Sequence, residues 1–170
     1  MKLPLLLSCC ALLAGCFGAP PPDPPCSDWA APTDRPTEIR ITRNMSRRPT
    51  EVWREALDSA GDWVRHGRDV KYFLDGQVKA EENWKMGVLD GPADYWFPNG
   101  RKQGATVYLH GLPEGRAVSW REDGSIESEK NWKSGKLEGW DRHWNTHGVL
   151  DREQFWVENH PAPRPEEMKP

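Results

Sequence analysis

Glycine recurs along this chain every 24 residues, and that spacing limits the fold more than any other feature. Gly76, Gly100, Gly124 and Gly148 form one series, and Gly87, Gly111 and Gly135 form a second, with Asn159 at its next step. Gly67, Gly91, Gly115 and Gly139 form a third. Aromatic residues keep the same period in two series offset by 12: Tyr72, Trp96, Trp120 and Trp144, then Trp84, Tyr108, Trp132 and Trp156. A period of this length marks one supersecondary unit stacked on copies of itself. A turn signal arrives every 10–12 residues, which is too often for helices and leaves short strands between turns.

The turns have two chemistries. Asp75-Gly76, Asn99-Gly100, Asp123-Gly124 and His147-Gly148 are tight-turn pairs, because glycine accepts positive φ without a Cβ clash. The second connection, as in Gly87-Val88-Leu89-Asp90-Gly91 and Gly135-Lys136-Leu137-Glu138-Gly139, reads as a longer turn with two flexible points. Asp90, Glu114 and Glu138 recur with the period, which suits capping of backbone N–H groups and not a unique acid–base pair. The predicted fold is all-β: a meander of 24-residue antiparallel hairpins in a single curled sheet.

A three-residue loop at each Asp/Asn-Gly turn places Tyr72 opposite Val78. Simple alternation then puts Trp84 on that face, with Val118, Trp120, Ile126 and Trp132, and with Trp144, Leu150 and Trp156. Lys71, Ser119, Arg121, Glu127, Glu129, His143 and Asn145 fall opposite. One aromatic and one polar face are expected, with the second unit departing from the rule, since Tyr95, Phe97, Val107 and Leu109 face the other way. Eight rings buried at about 150–250 Å² each give on the order of 30–50 kcal/mol of gross driving force before entropy.

The N-terminus carries an address. After Lys2 comes an apolar run too short to span a bilayer, ending in Leu13-Ala14-Gly15-Cys16. This resembles the bacterial lipobox, and the resemblance implies acylation of Cys16. Phe17, not Asp, follows the cysteine, which favours placement in the outer membrane. Residues 1–15 read as the signal peptide. Residues 16–37 read as a proline-rich tether, 38–66 as degenerate lead-in strands, 67–160 as the repeat domain and 161–170 as a disordered tail. Only Cys26 follows Cys16, so a thiolate metal site is not expected.

The chemistry is sparse. The formal net charge is −3, from 23 basic and 26 acidic residues, which lacks the basic bias of a nucleic-acid binder. His143 and His147 stand four apart without a metal-site context, the serines lack a nucleophile elbow, and the glycines are turns, not phosphate loops. Neither catalysis nor a metal or other cofactor is expected. Trp29, Trp53 and Trp140 break the 12-residue series and are therefore the candidate partner contacts.

The unit Tyr/Trp-x-x-(Asp/Asn)-Gly followed by Trp/Tyr-x-x-Gly-x-x-(Asp/Glu)-Gly resembles the MORN family, in particular its bacterial variant. Asn83-Trp84-Lys85-Met86-Gly87 and Asn131-Trp132-Lys133-Ser134-Gly135 are its best copies. Bacterial proteins of this kind are grouped as YwqK-like, which implies an antitoxin or immunity duty. The expected function is a membrane-anchored, non-catalytic protein-interaction module. The alternative is an envelope lipoprotein that binds glycan, peptidoglycan or lipid through its aromatics.

Overall fold

The computed structural model describes residues 36–165. The signal segment and nearly all of the tether, with Cys16, Cys26 and Trp29, lie outside the described residues, as do residues 166–170. The strands are β1 (Thr37–Arg43), β2 (Pro49–Leu57), β3 (Trp63–Arg65), β4 (Gly67–Tyr72), β5 (Val78–Lys85), β6 (Val88–Leu89) and β7 (Gly91–Trp96). They continue as β8 (Lys102–Leu109), β9 (Leu112–Trp120), β10 (Ile126–Lys133), β11 (Lys136–Trp144), β12 (Leu150–Val157) and β13 (His160–Ala162). All belong to one antiparallel sheet of consecutive hairpins that does not close into a barrel. Glu51 to Leu57, which the sequence left open between strand and short helix, is strand, and the sheet runs on to Ala162.

The Asp/Asn-Gly turns are three-residue loops. Tyr72 pairs with Val78, Trp96 with Lys102, Trp120 with Ile126 and Trp144 with Leu150. In the first loop the Phe73 N–H donates to Gln77 O at 2.8 Å, and Asp75 Oδ1 accepts from the Gln77 N–H at 2.9 Å. The fourth loop has His147 where the others have Asp or Asn. There Asn145 supplies the acceptor, taking the His147 and Val149 N–H groups at 2.9 and 3.1 Å. The lead-in uses the same hydrogen-bond pattern twice, closed by Asn44 N–H on Arg48 O and Asp58 N–H on Asp62 O, both at 2.9 Å.

The second connection differs from the expected longer turn. It is a two-residue turn in which both residues have positive φ: Met86 and Gly87 (49° and 82°), His110 and Gly111 (52° and 82°), Ser134 and Gly135 (49° and 79°), Glu158 and Asn159 (48° and 66°). This geometry matches the right-handed twist of the flanking strands. Four residues further on, Gly91, Gly115 and Gly139 also have positive φ; Gly115 and Gly139 lie within strands at irregularities of the ladder, and Gly91 opens β7 where the pairing of β5 passes from β6 to β7. Asn83 and Asn131 span two of these points, their Nδ2 atoms donating to Pro92 O at 2.8 Å and Trp140 O at 3.1 Å.

These turns also join one unit to the next. The N–H groups of Gly87, Gly111, Gly135 and Asn159 donate to the carbonyls of Arg65, Leu89, Pro113 and Leu137 at 2.8, 2.7, 3.0 and 3.1 Å. Both donors and acceptors repeat every 24 residues. The expected carboxylate caps are present too: Glu114 Oε2 accepts from the Ser134 N–H at 2.6 Å and Glu138 Oε2 from the Glu158 N–H at 2.8 Å. A hydrogen bond to a charged group contributes about 1.5–3 kcal/mol. That offsets the roughly 1–2 kcal/mol cost of holding a non-glycine residue in the left-handed region.

The expectation of a single aromatic face is corrected. Beyond each three-residue loop the ladder carries one unpaired extra residue. Tyr72 pairs with Val78 but Lys71 with Ala80, and Trp120 with Ile126 but Ser119 with Ser128, leaving out Lys79 and Glu127. Gln103 and Asp151 are left out in the same way. The extra residue turns the alternation over. Tyr72, Trp96, Trp120 and Trp144 therefore share a first face, while Trp84, Tyr108, Trp132 and Trp156 lie on the second, at the opposite rim. Packing agrees. Tyr72 joins Val52 and Val70 in the buried cluster, with the partly buried Val78 packed against it, whereas Trp84 stacks on Arg65, which bonds Glu51 and the buried Asp69. Glu129, expected opposite the aromatics, pairs with Val118 on the first face.

The bulge glycines give a direct test. A Cβ on Gly139 would stand 3.2 Å from Asn131 Cβ at a φ of +106°, whereas a Cβ on Gly115, at +72°, meets nothing within 4 Å. Gly139→Ala is expected to cost about 2–3 kcal/mol and Gly115→Ala about 1 kcal/mol, read as shifts of the thermal midpoint. Equal losses would contradict this reading.

Candidate functional site

The expected contact residues separate in space. Trp53 lies in β2 on the second face. Its Nε1 donates to Glu55 Oε1 at 3.0 Å, and the Arg65 guanidinium sits 5.2 Å from its ring centroid. The same guanidinium is 5.5 Å from the Trp84 centroid, bonds Glu51 at 2.8 Å and pairs with Asp69. Arg65 thus clamps the lead-in hairpin to the first repeat, with two rings flanking it and two carboxylates on its N–H groups. Removing the guanidinium would leave Asp69 buried and unpaired, a loss of about 3–5 kcal/mol. Trp53 therefore belongs to the joint between the lead-in and the repeats.

Trp140 lies in β11 on the first face, seven strand steps from Trp53, or roughly 34 Å along the sheet. It pairs across the ladder with Phe155, the ring centroids 5.2 Å apart and the planes at 71°. Arg142 stacks on it at 4.7 Å. Beside it is a recess of about 240 Å³ lined by Trp140, Glu153, Gln154, Phe155, Pro163 and Arg164. Glu153 pairs with Arg142 at 3.4 Å and with Arg164 at 3.2 Å. Phe155 was not singled out in the sequence, although it stands where two other units have Asn83 and Asn131.

A second cluster is only partly visible in the sequence. At the rim of the two-residue turns the first face exposes Val88 (44%), Val107 (45%), Leu109 (49%) and Leu112 (48%). Leu109 pairs with Leu112 across a turn, and Lys85 with Val88. Lys85 flanks this apolar strip on one side, and Lys133 and Lys136, paired with each other, on the other. All three lysines are exposed. In the sequence Val107 and Leu109 stand out as facing away from the expected aromatic side, whereas Val88 and Leu112 read only as residues next to turns.

The polar groups are largely engaged across strands. On the first face Arg68 pairs with Glu81 and Arg116 with Glu129 at 2.7 Å, and the Arg116 bond holds the Glu129 carboxyl below its ordinary range. On the second face Glu82 accepts from Lys71 at 3.0 Å and from the Tyr95 hydroxyl at 3.1 Å. Burial, and then the Glu82 charge, raise the Tyr95 pKa. Ser128 stands opposite His143, whose Nε2 is 2.8 Å from Asp141 Oδ1, but the Ser128 hydroxyl is bonded to Ser119 Oγ at 2.7 Å. Among the described residues no group of three or more metal-type side chains converges.

No protein-family model matches the chain, and no curated protein matches it.

His66 occupies the place where later units carry their capping carboxylate, and its Nδ1 accepts from the Met86 N–H at 3.4 Å. Burial, followed by the charges of Arg54 and Lys85, holds its pKa below the ordinary 6.5. The unfolded chain therefore takes up this proton at higher pH than the folded one does. The contribution is complete above the ordinary value and is lost as pH falls below it. The thermal midpoint is expected to drop between about pH 7 and about pH 5, and to drop less in His66→Gln. An identical drop in both proteins would remove His66 as the cause.

Proposed function

We propose that this chain is a lipid-anchored, non-catalytic MORN-like lipoprotein that holds a protein partner against the rim of its first face. The observation that carries the reading is the exposed strip of Val88, Val107, Leu109 and Leu112 set between lysines. Contiguous apolar surface of this kind marks an interaction site. The lysine border defines the complement: an apolar protein surface edged by carboxylates. Cross-strand ion pairs such as Arg68–Glu81, Lys71–Glu82 and Arg116–Glu129 support a scaffold role over a reacting centre. The lipobox-like segment ending at Cys16 supplies the anchor, and the proline-rich stretch after it sets the domain off the bilayer. An antitoxin or immunity duty is one form of this reading.

The test uses the full chain extracted from its own membrane with its partner and a zero-length carbodiimide cross-linker. The expected result is a link from Lys85, Lys133 or Lys136 to an aspartate or glutamate of one co-purifying protein. Leu109→Lys should abolish the link without moving the thermal midpoint. Cys16→Ser should shift the chain to the soluble fraction. An undiminished link in Leu109→Lys would overturn the proposed surface, as would binding only to anionic vesicles.

A further inference from the structure

The two ends of the sheet are built differently. At the C-terminal end β13 has three residues, one of them Pro161, and Pro163 follows it. Gln154 Nε2 donates to the Ala162 carbonyl at 3.2 Å, and Arg164 returns to Glu153 at 3.2 Å. A short edge carrying proline is blunted against further pairing. At the N-terminal end β1 runs for seven residues, Thr37–Arg43, without proline or glycine. Among the described residues it pairs with β2 alone, in unbroken register from Thr37 to Thr42. Such a strand presents a row of backbone N–H and C=O groups on its outer side. Residues 16–37, which lead into it, contain seven prolines, and proline supplies no N–H to a ladder.

The side chains of β1 select a partner for that edge. Ile39 and Ile41 stand opposite Arg54 and Val52, on the first face, and remain 46% and 40% exposed. Val52 belongs to the buried cluster with Val70 and Tyr72, so the isoleucines form the uncovered margin of that cluster. Glu38 and Arg40 stand opposite Glu55 and Trp53, on the second face, and bond each other at 3.0 Å. Residues directly opposite in an antiparallel ladder share a face. Two copies that meet edge to edge about a twofold axis must therefore centre their pairing on one residue of β1. Centred on Glu38 or on Arg40, the pairing sets like charges together. Centred on Ile41, it sets Arg40 against Thr42 and Ile39 against Arg43. Centred on Ile39, it sets Glu38 against Arg40 twice, Ile39 against itself and Thr37 against Ile41. Only that register matches opposite charges on one face and gathers the isoleucines on the other. We propose that β1 pairs in this register with β1 of a second copy of the chain, joining two sheets into one. The interface does not involve the apolar rim at Val88 and Leu109 and stands without it.

The test is sedimentation velocity of the full chain in detergent over a wide concentration range, which is expected to show a monomer–dimer equilibrium. Glu38→Arg sets arginine against Arg40 at both pairs and should raise the dissociation constant about tenfold or more, with the thermal midpoint unchanged. Arg40→Glu should weaken association likewise. Mixing the two variants should restore it, because each arginine then meets a glutamate across the edge. Leu109→Lys should leave it unchanged. Oxidised Ile39→Cys should give a disulfide from position 39 to position 39, identified in the linked peptides by mass spectrometry. Ile41→Cys should not link to itself, since those positions lie four residues out of line, about 13 Å apart. A chain that stays monomeric throughout overturns the proposal. So does a dimer that Glu38→Arg leaves intact, as two anchors in one micelle would give, or a mixture that associates no better than its components. Self-linking at position 41 as ready as at position 39 would refute the register.

Discussion

The sheet depends on a run of turn N–H groups that reach back one unit. Gly87, Gly111, Gly135 and Asn159 each donate to a carbonyl 22 residues earlier, so every hairpin is tied to the one before it at the rim as well as along its strand. The donor can point that way only because both turn residues have positive φ. Glycine, or asparagine at the last step, accepts this at the donor position. The preceding residue, Met86, His110, Ser134 or Glu158, is held there against its own preference. His66, Glu114 and Glu138 counter that strain by accepting the N–H of three of these residues. This connection lets a sheet with few fully buried apolar side chains hold together through local contacts.

The extra residue near each three-residue loop has the second structural role. By turning the alternation over, it spreads the aromatic residues to both faces and opposite rims. Each face then mixes rings, small residues and paired charges. Buried carboxylates such as Asp69 and Glu82 stay solvated by Arg65, Lys71 and Tyr95. The last unit keeps this framework but changes side chains, and that is where the aromatic corner of Trp140 and Phe155 forms.

Much of this was legible in the sequence because it rests on residue types with few alternatives. The Asp/Asn-Gly loops, the Tyr72–Val78 register and the capping by Glu114 and Glu138 all follow from glycine conformational freedom and carboxylate chemistry. The two-residue turns were hidden because Met86, His110, Ser134 and Glu158 carry no turn signal of their own. The bulges were hidden because Lys79, Gln103, Glu127 and Asp151 share only exposure and polarity. A one-residue irregularity of that kind reverses every face downstream. At the site, Trp140 was visible as a break in the aromatic series. Its neighbours Phe155, Glu153 and Arg164 emerge only from the pairing of β11 with β12 and the path of the chain after β13.

Native-state amide hydrogen exchange tests the central claim most directly. If the turn N–H groups tie the units together, the amides of Gly87, Gly111 and Gly135 exchange as slowly as those of the strands they reach, with Asn159 somewhat faster at the end of the array. The loop-tip amides of Leu74 and Glu122 exchange freely in the same protein. Exchange of the three glycine amides at loop-tip rates would contradict the account.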